Sequence, residues 1–143
     1  MEPESFLRPL LPYMAAFVER DAERRLALLA EALSPTAEIR GPKHVFTGYA
    51  EVSEKILGFQ KNWPECRLVL AAGVITFQNT CHFPMAIVGQ DGRVRARGHS
   101  VAELASDGRI QKIVAYWGEH PSLPESWPPE FKVPFGAGTE SAA

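Results

Sequence analysis

Long hydrophobic runs are missing from this chain. Its longest apolar stretch, Leu68 to Ile75, falls far short of the roughly 20 residues that cross a bilayer. The opening Met-Glu-Pro-Glu-Ser is acidic and carries proline, so it lacks the basic segment that begins a secretory signal. A soluble, cytoplasmic protein with no membrane partner is the expectation. Cysteine is scarce as well. Cys66 and Cys81 make neither a metal spacing nor a disulfide framework, and both read as reduced thiols in or near the core. Basic blocks are absent: 15 Lys and Arg are interspersed with 17 Asp and Glu for a net charge of −2, which argues against a nucleic-acid surface. No internal repeat or low-complexity linker divides the chain, so its 143 residues read as one domain able to bury a core. With 45% hydrophobic and 22% charged residues, the composition is globular and not disordered.

What is present is concentrated in the last third. Val94, Ala96, Gly98, Ser100, Ala102 and Leu104 alternate with Arg95, Arg97, His99, Val101 and Glu103. Ser106-Asp107-Gly108 then makes a turn, and Arg109, Gln111, Ile113, Ala115 and Trp117 fall on one face of the next run. Period-2 alternation around Asp-Gly predicts an antiparallel hairpin. One face of its first strand is nearly all small residues, which leaves room above the sheet for a packed helix or a ligand.

The first third is helical. Tyr13, Ala16, Phe17 and Arg20 share one helix face, although Pro9 and Pro12 blur where that helix starts, since proline belongs in a first turn. Asp21 caps a second helix, Ala22 to Leu33, with its stripe at Leu26, Leu29, Ala30 and Leu33, and the charges from Glu19 to Arg25 read as its solvated side. Ser34-Pro35 ends it, and Thr36–Arg40 and His44–Thr47 follow as short strands around Gly41-Pro42. A third helix covers Tyr49 to Asn62, with Val52, Ile56, Phe59 and Trp63 along one side. Arg67 to Gln78, apolar on both faces, reads as a central strand. Asn79-Thr80 turns into Cys81–Val88, where Pro84 implies an edge or a bulge. The last four strands read as long and antiparallel. The proline-rich tail, 121–143, reads as Trp127, Phe131 and Phe135 docking on the body, with 136–143 frayed.

Three segments at this spacing carry a resemblance: Tyr13-Met-Ala-Ala-Phe-Val-Glu-Arg-Asp21; Phe46-Thr-Gly48 leading into the third helix; and Ser106-Asp-Gly-Arg-Ile110 followed by Ala115-Tyr-Trp-Gly118. Together they span Ser5 to His120 in order. The chain thereby resembles the nuclear transport factor 2-like superfamily, which includes ketosteroid isomerases, SnoaL-like polyketide cyclases and limonene epoxide hydrolase. The resemblance implies an α+β cone over residues 1–120, in which a curved antiparallel sheet wraps three helices around one deep apolar pocket. It also implies a homodimer through the outer sheet face. It places Tyr13 at the isomerases' oxyanion-donor position, but puts Gly41, before Pro42, where their base stands, and Ser100 where their second acid stands. Proton abstraction needs a base within hydrogen-bond reach, so the isomerase reaction loses its main group. The epoxide hydrolase site is not matched either, its final-strand aspartate falling on Ala115.

Tyr13 therefore stands as the candidate oxyanion donor, with Ser100 or His99 as a second polar group. Ser100 also reads as a small residue that lets a helix approach. Phe17, Ile39, Trp63, Phe83, Met85, Ala102, Ile113, Ala115 and Trp117 are the expected walls, whether as pocket or as ordinary core. His99, Arg95 and Arg97, with His82 alongside, form either an anion patch or a solvated or dimer-facing surface. A register slip of one residue would turn this set into the pocket and make His99, or else Glu103, the candidate acid/base. His44 and His120 have no partners at ligand spacing, so no metal and no cofactor is implied. Three functions stay open: an isomerase- or cyclase-like enzyme on a small hydrophobic molecule, a non-catalytic module binding such a molecule, or a dimerising domain whose cavity is filled by its own side chains.

Overall fold

A computed structural model describes residues 2–133 and 137–139. The helices are α1 (Pro3–Ala16), α2 (Ala22–Ala32) and α3 (Gly48–Asn62), and the strands β1 (Leu33–Arg40), β2 (Val45–Thr47), β3 (Arg67–Leu70), β4 (Ile75–Phe77), β5 (Thr80–Val88), β6 (Val94–Leu104) and β7 (Ile110–Trp117). The sheet runs β2-β1-β7-β6-β5-β3, with β4 beside β5. This is the expected α+β architecture of three helices and one curved sheet. The sheet is mixed and not wholly antiparallel, because β1 runs parallel to β7.

Each helix is held by the stripe it buries. On α1, Phe6, Leu10, Tyr13 and Ala16 are buried, and Pro9 and Pro12 lie inside the helix with them instead of marking its start. Each internal proline forfeits a backbone hydrogen bond at a cost of about 3 kcal/mol in an exposed helix. Burial of the aromatic and aliphatic stripe, at roughly 1.5–3 kcal/mol per large side chain, offsets that loss. On α2, the Asp21 side chain accepts from the Arg24 N–H at 3.0 Å, the cap that the sequence predicts. Arg25, read as solvated, is instead 2% exposed. Its guanidinium donates to Ser53 Oγ on α3 and to the Glu19 carbonyl, both at 2.9 Å, and these bonds make burial of the charge tolerable.

The expected central strand over Arg67–Gln78 is two short ones, β3 and β4, both along β5 and separated by Ala71–Val74. Pro84 explains the break. It sits on β5 between the stretch paired with β4 and the stretch paired with β3, and its carbonyl accepts from Ala71 N–H at 2.9 Å. A residue without an N–H cannot continue a ladder, so the partner strand lets go there.

The β6–β7 hairpin turns at Gly108, whose φ of +88° suits glycine. Its register then slips between Glu103 and Leu104, so Ile110 enters the core opposite Leu104. Arg109 and Gln111, expected on the face of Ile113, are displaced from it. Arg109 instead donates to the Ala30 carbonyl and the Tyr49 hydroxyl, while Gln111 bonds Ser34 and Thr36.

In the tail, Trp127 and Phe131 are 43% and 71% exposed. The Trp127 indole donates to the Phe131 carbonyl, satisfying its N–H locally around a short 3-10 turn, Pro129–Phe131. Phe135 and most of 136–143 lie outside the described residues. Among those described, no helix is long and apolar enough to cross a membrane.

Candidate functional site

β6 decides the interior. Ser100, Ala102 and Leu104 are buried, while Arg95, Arg97, Val101 and Glu103 on the alternate positions face away from the core. No register slip turns the charged face inward. Over the small-residue face lies a cavity of about 570 Å³, walled by α1 and α3 opposite the sheet. This is the size range of pockets that take drug-sized ligands.

Of the predicted walls, Phe17, Ile39, Trp63, Phe83, Met85, Ile113, Ala115 and Trp117 line it. Ala102 does not. It is buried beyond the cavity, paired with Cys81 and Ile113, and serves the core. Gly98 is not open floor either. A Cβ there would run into the Tyr116 carbonyl oxygen and the Trp117 indole, the latter at 2.9 Å, so the missing side chain makes room for the backbone and the tryptophan of the neighbouring strand.

Tyr13 and Ser100 both line the cavity. Tyr13 is 5% exposed, its ring stands edge-on to Phe17 at 5.1 Å, and its hydroxyl makes no hydrogen bond to another described residue. Burial pushes its pKa well above the ordinary tyrosine value, so it remains a neutral O–H donor across the physiological range. Ser100 is 1% exposed and its hydroxyl donates to the Met85 thioether at 3.1 Å, a weak acceptor that leaves the oxygen's lone pairs available.

His99 is not in this site. It lies on the opposite face of β6, stacked on Tyr116 at 5.4 Å and tilted against His82 and His120 at 5.3 and 5.2 Å. The strand's alternation puts it there, and the candidate acid/base is thereby removed from the cavity. Gly41, where the resemblance would put the isomerases' base, does reach the lining, its N–H closing the β1–β2 turn onto the His44 carbonyl at 3.0 Å.

The mouth holds four groups that sequence reasoning passed over. Lys43, Glu54, Lys55 and Asn62 line it, together with His44. Lys55 is half-buried, with its ammonium 5.4 Å above the Phe17 ring and 5.9 Å from that of Phe46. No carboxylate lies within 4.0 Å of it among the described residues. Desolvation lowers its pKa below the ordinary lysine value. Its only sequence signal is its place four residues before Phe59 on the apolar side of α3, and a lysine flanking an apolar stripe ordinarily extends to solvent. Among the described residues, no group of three or more His, Cys, Asp or Glu is arranged to hold a metal ion.

No family model matches the chain, and no curated protein matches it. Solved structures do. A proposed isomerase of the SnoaL-like family from Agrobacterium tumefaciens is 27% identical, with a TM-score of 0.73 over 81% of this chain and 99% of that one. A nuclear transport factor 2-like protein of unknown function from Exiguobacterium is 17% identical, at a TM-score of 0.62 over 78% and 99% of the two chains. A proposed SnoaL-like polyketide cyclase from Jannaschia is 12% identical, at 0.62 over 80% and 85%. The chain has the nuclear transport factor 2-like fold, as its motifs implied.

Proposed function

We propose that the protein binds a small hydrophobic molecule in the cavity between α1, α3 and the sheet, and that Tyr13 polarises an oxygen of that molecule. The Tyr13 hydroxyl, unpaired among the described residues and buried where the cavity walls are mostly apolar, carries this reading. A hydrogen bond made there is unscreened by water and stabilises charge developing on oxygen more than the same bond would in solvent. Ser100 supplies a second polar contact. The chemistry that fits is enolate or alkoxide stabilisation, of the isomerase- or cyclase-like kind named for two of the similar structures.

A non-catalytic binding module is the second reading, favoured by Gly41 and Ser100 at the positions where the isomerases hold carboxylates. A homodimer through the outer face of β6 and β7 completes the proposal, supported by Val101 and Tyr116, which are exposed on that face.

Matched probes test the site. Acetonaphthone and ethylnaphthalene differ chiefly in a carbonyl oxygen. The ketone should bind several-fold tighter, as one net hydrogen bond of about 1 kcal/mol requires, and Tyr13→Phe should abolish the difference. Equal affinity for the wild-type protein refutes the role of Tyr13, and failure of both probes to bind refutes the pocket. Native mass spectrometry of the purified protein adds a direct search for a retained lipophilic molecule.

A further inference from the structure

Lys55 is costly where it stands. A cation half-withdrawn from water is ordinarily paired, yet its ammonium has no carboxylate within 4.0 Å and no hydrogen bond to a described residue. Two aromatic faces are its neighbours instead, Phe17 at 5.4 Å and Phe46 at 5.9 Å. Such contacts attract a cation but satisfy none of its three N–H donors. α3 places it on the cavity side together with Gly58, Phe59 and Asn62, the residues three, four and seven positions on.

The other charged or titratable groups at the lining are Lys43 and His44, from the β1–β2 turn, and Glu54 beside Lys55 on α3. Glu54 is exposed and makes no ion pair with Lys55, so it does not neutralise the site. From α1 comes Tyr13, neutral, and from the sheet only Ser100 among polar side chains. The cavity is apolar at its floor and carries an uncompensated ammonium at its mouth. That is the complement of an amphipathic anion.

We propose that Lys55 makes the cavity a carboxylate site, taking a hydrophobic acid whose tail fills the space above Phe83 and Ile113 and whose carboxylate meets the Lys55 ammonium at the mouth. The inference rests on the ligand-binding reading above and adds the chemical class of the ligand. A carboxylate there offers the missing acceptors in a setting of reduced dielectric, where a charge-assisted bond is strongest. The lowered pKa of Lys55 fits a desolvated amine awaiting such a partner, because a bound anion favours the protonated form.

Decanoate, decanol and decylamine share a tail and differ in head-group charge, and calorimetric titration of the wild-type chain with each is the test. Decanoate should bind about tenfold tighter than decanol, the size of a hydrogen bond to a charged group, and decylamine should bind weakest. Lys55→Met should bring decanoate down to the affinity of decanol while leaving decanol unchanged, and Lys55→Arg should keep the preference. In the wild type, the preference should fall as pH is raised through the alkaline range and Lys55 loses its proton, a fall absent from Lys55→Met. Equal binding of all three probes overturns the carboxylate site while the hydrophobic pocket stands. A decanoate preference that survives Lys55→Met assigns the anion to Lys43 or His44 and also overturns it. Absence of binding by every probe overturns this inference and the pocket together. If Lys55→Met does not fold, Lys43→Met and His44→Gln give the converse test: a decanoate preference that survives both keeps the carboxylate on Lys55, and one that either substitution abolishes overturns it.

Discussion

Gly98→Ala and Gly58→Ala add the same methyl group at two cavity-side positions, and the structure assigns them opposite signs. At Gly98 the new Cβ would sit 2.9 and 3.1 Å from two atoms of the Trp117 indole and press on the Tyr116 carbonyl oxygen. The backbone there lies outside the left-handed region, so alanine meets no torsional strain and the penalty is steric alone. Overpacking of this kind costs about 1–3 kcal/mol. Removing a glycine from the unfolded chain returns about 0.4–1 kcal/mol, leaving a net loss of roughly 1–2 kcal/mol. For a chain of this size, that lowers Tm by about 3–8 °C. At Gly58, inside α3, nothing lies within 4 Å of the added Cβ. Alanine is the better helix former by about 0.5–1 kcal/mol, so the same assay should show Tm rising by a few degrees. Thermal unfolding followed by circular dichroism, with calorimetry to check two-state behaviour, reads both. A Gly98→Ala protein as stable as wild type would mean that neither the Tyr116 carbonyl nor the Trp117 indole closes the space above Gly98. The small-residue floor would then be open along its whole length.

The two cysteines should differ in reactivity. Burial raises the Cys81 thiol to about 11, whereas Cys66 is partly exposed, so a thiol reagent at pH 8 should modify Cys66 first and reach Cys81 only on unfolding. The sign for stability follows. A thiol whose folded pKa stands above its unfolded value of about 9 contributes stability that is intact below pH 9 and is lost as pH rises toward 11. Cys81→Ala should therefore flatten the alkaline limb of a stability profile, and an unchanged limb would count against the assignment. For the dimer, sedimentation velocity should give twice the chain mass, and Val101→Lys on the exposed face of β6 should shift it to a single chain. A wild-type monomer at micromolar concentration removes that proposal.

Local chemistry was legible wherever the residues that decide it stand close together in the chain. The Asp21 cap, the Gly108 turn and the inward face of β6 each depend on a few neighbours, and each is found where the sequence places it. The features that were missed depend on a partner far along the chain. The split between β3 and β4 is imposed by Pro84 of β5, and within Arg67–Gln78 only Gly73, inside the break, hints at it. Arg25 is buried because Ser53, 28 residues away, meets its guanidinium. The slip at Ile110 belongs to the pairing of β6 with β7 and not to either strand's alternation. The cavity walls were legible for the same reason as β6, since periodicity identifies their faces; it does not say where along a face the cavity ends, and Ala102 lies on the right face but beyond that end. Lys55 was not. Its chemistry comes from Phe17 beside α1 and Phe46 on β2, brought over it by the fold.

The placement of polar groups along the cavity constrains how a ligand lies in it. Phe83, Met85, Ser100 and Ile113 are 1–3% exposed and form the deep end, where the one hydroxyl is already engaged with a thioether. Pro42, Lys43 and Glu54 are exposed and, with His44, form the rim. Tyr13 stands between these two zones and half-buried Lys55 at the inner side of the mouth, and both contact Phe17, one ring edge-on and one ammonium above it. A ligand with a single polar end therefore lowers its free energy most by entering apolar end first. Reversing it would strand a charge at the floor without partners, and an unpaired buried charge costs far more than apolar packing at the rim could offset. Its polar end then comes to rest near Phe17, within the zone that holds the neutral donor and the cation. A carbonyl adjacent to a carboxylate, or a carboxylate alone, fits that pair of groups better than a long hydrocarbon ketone whose oxygen lies mid-chain.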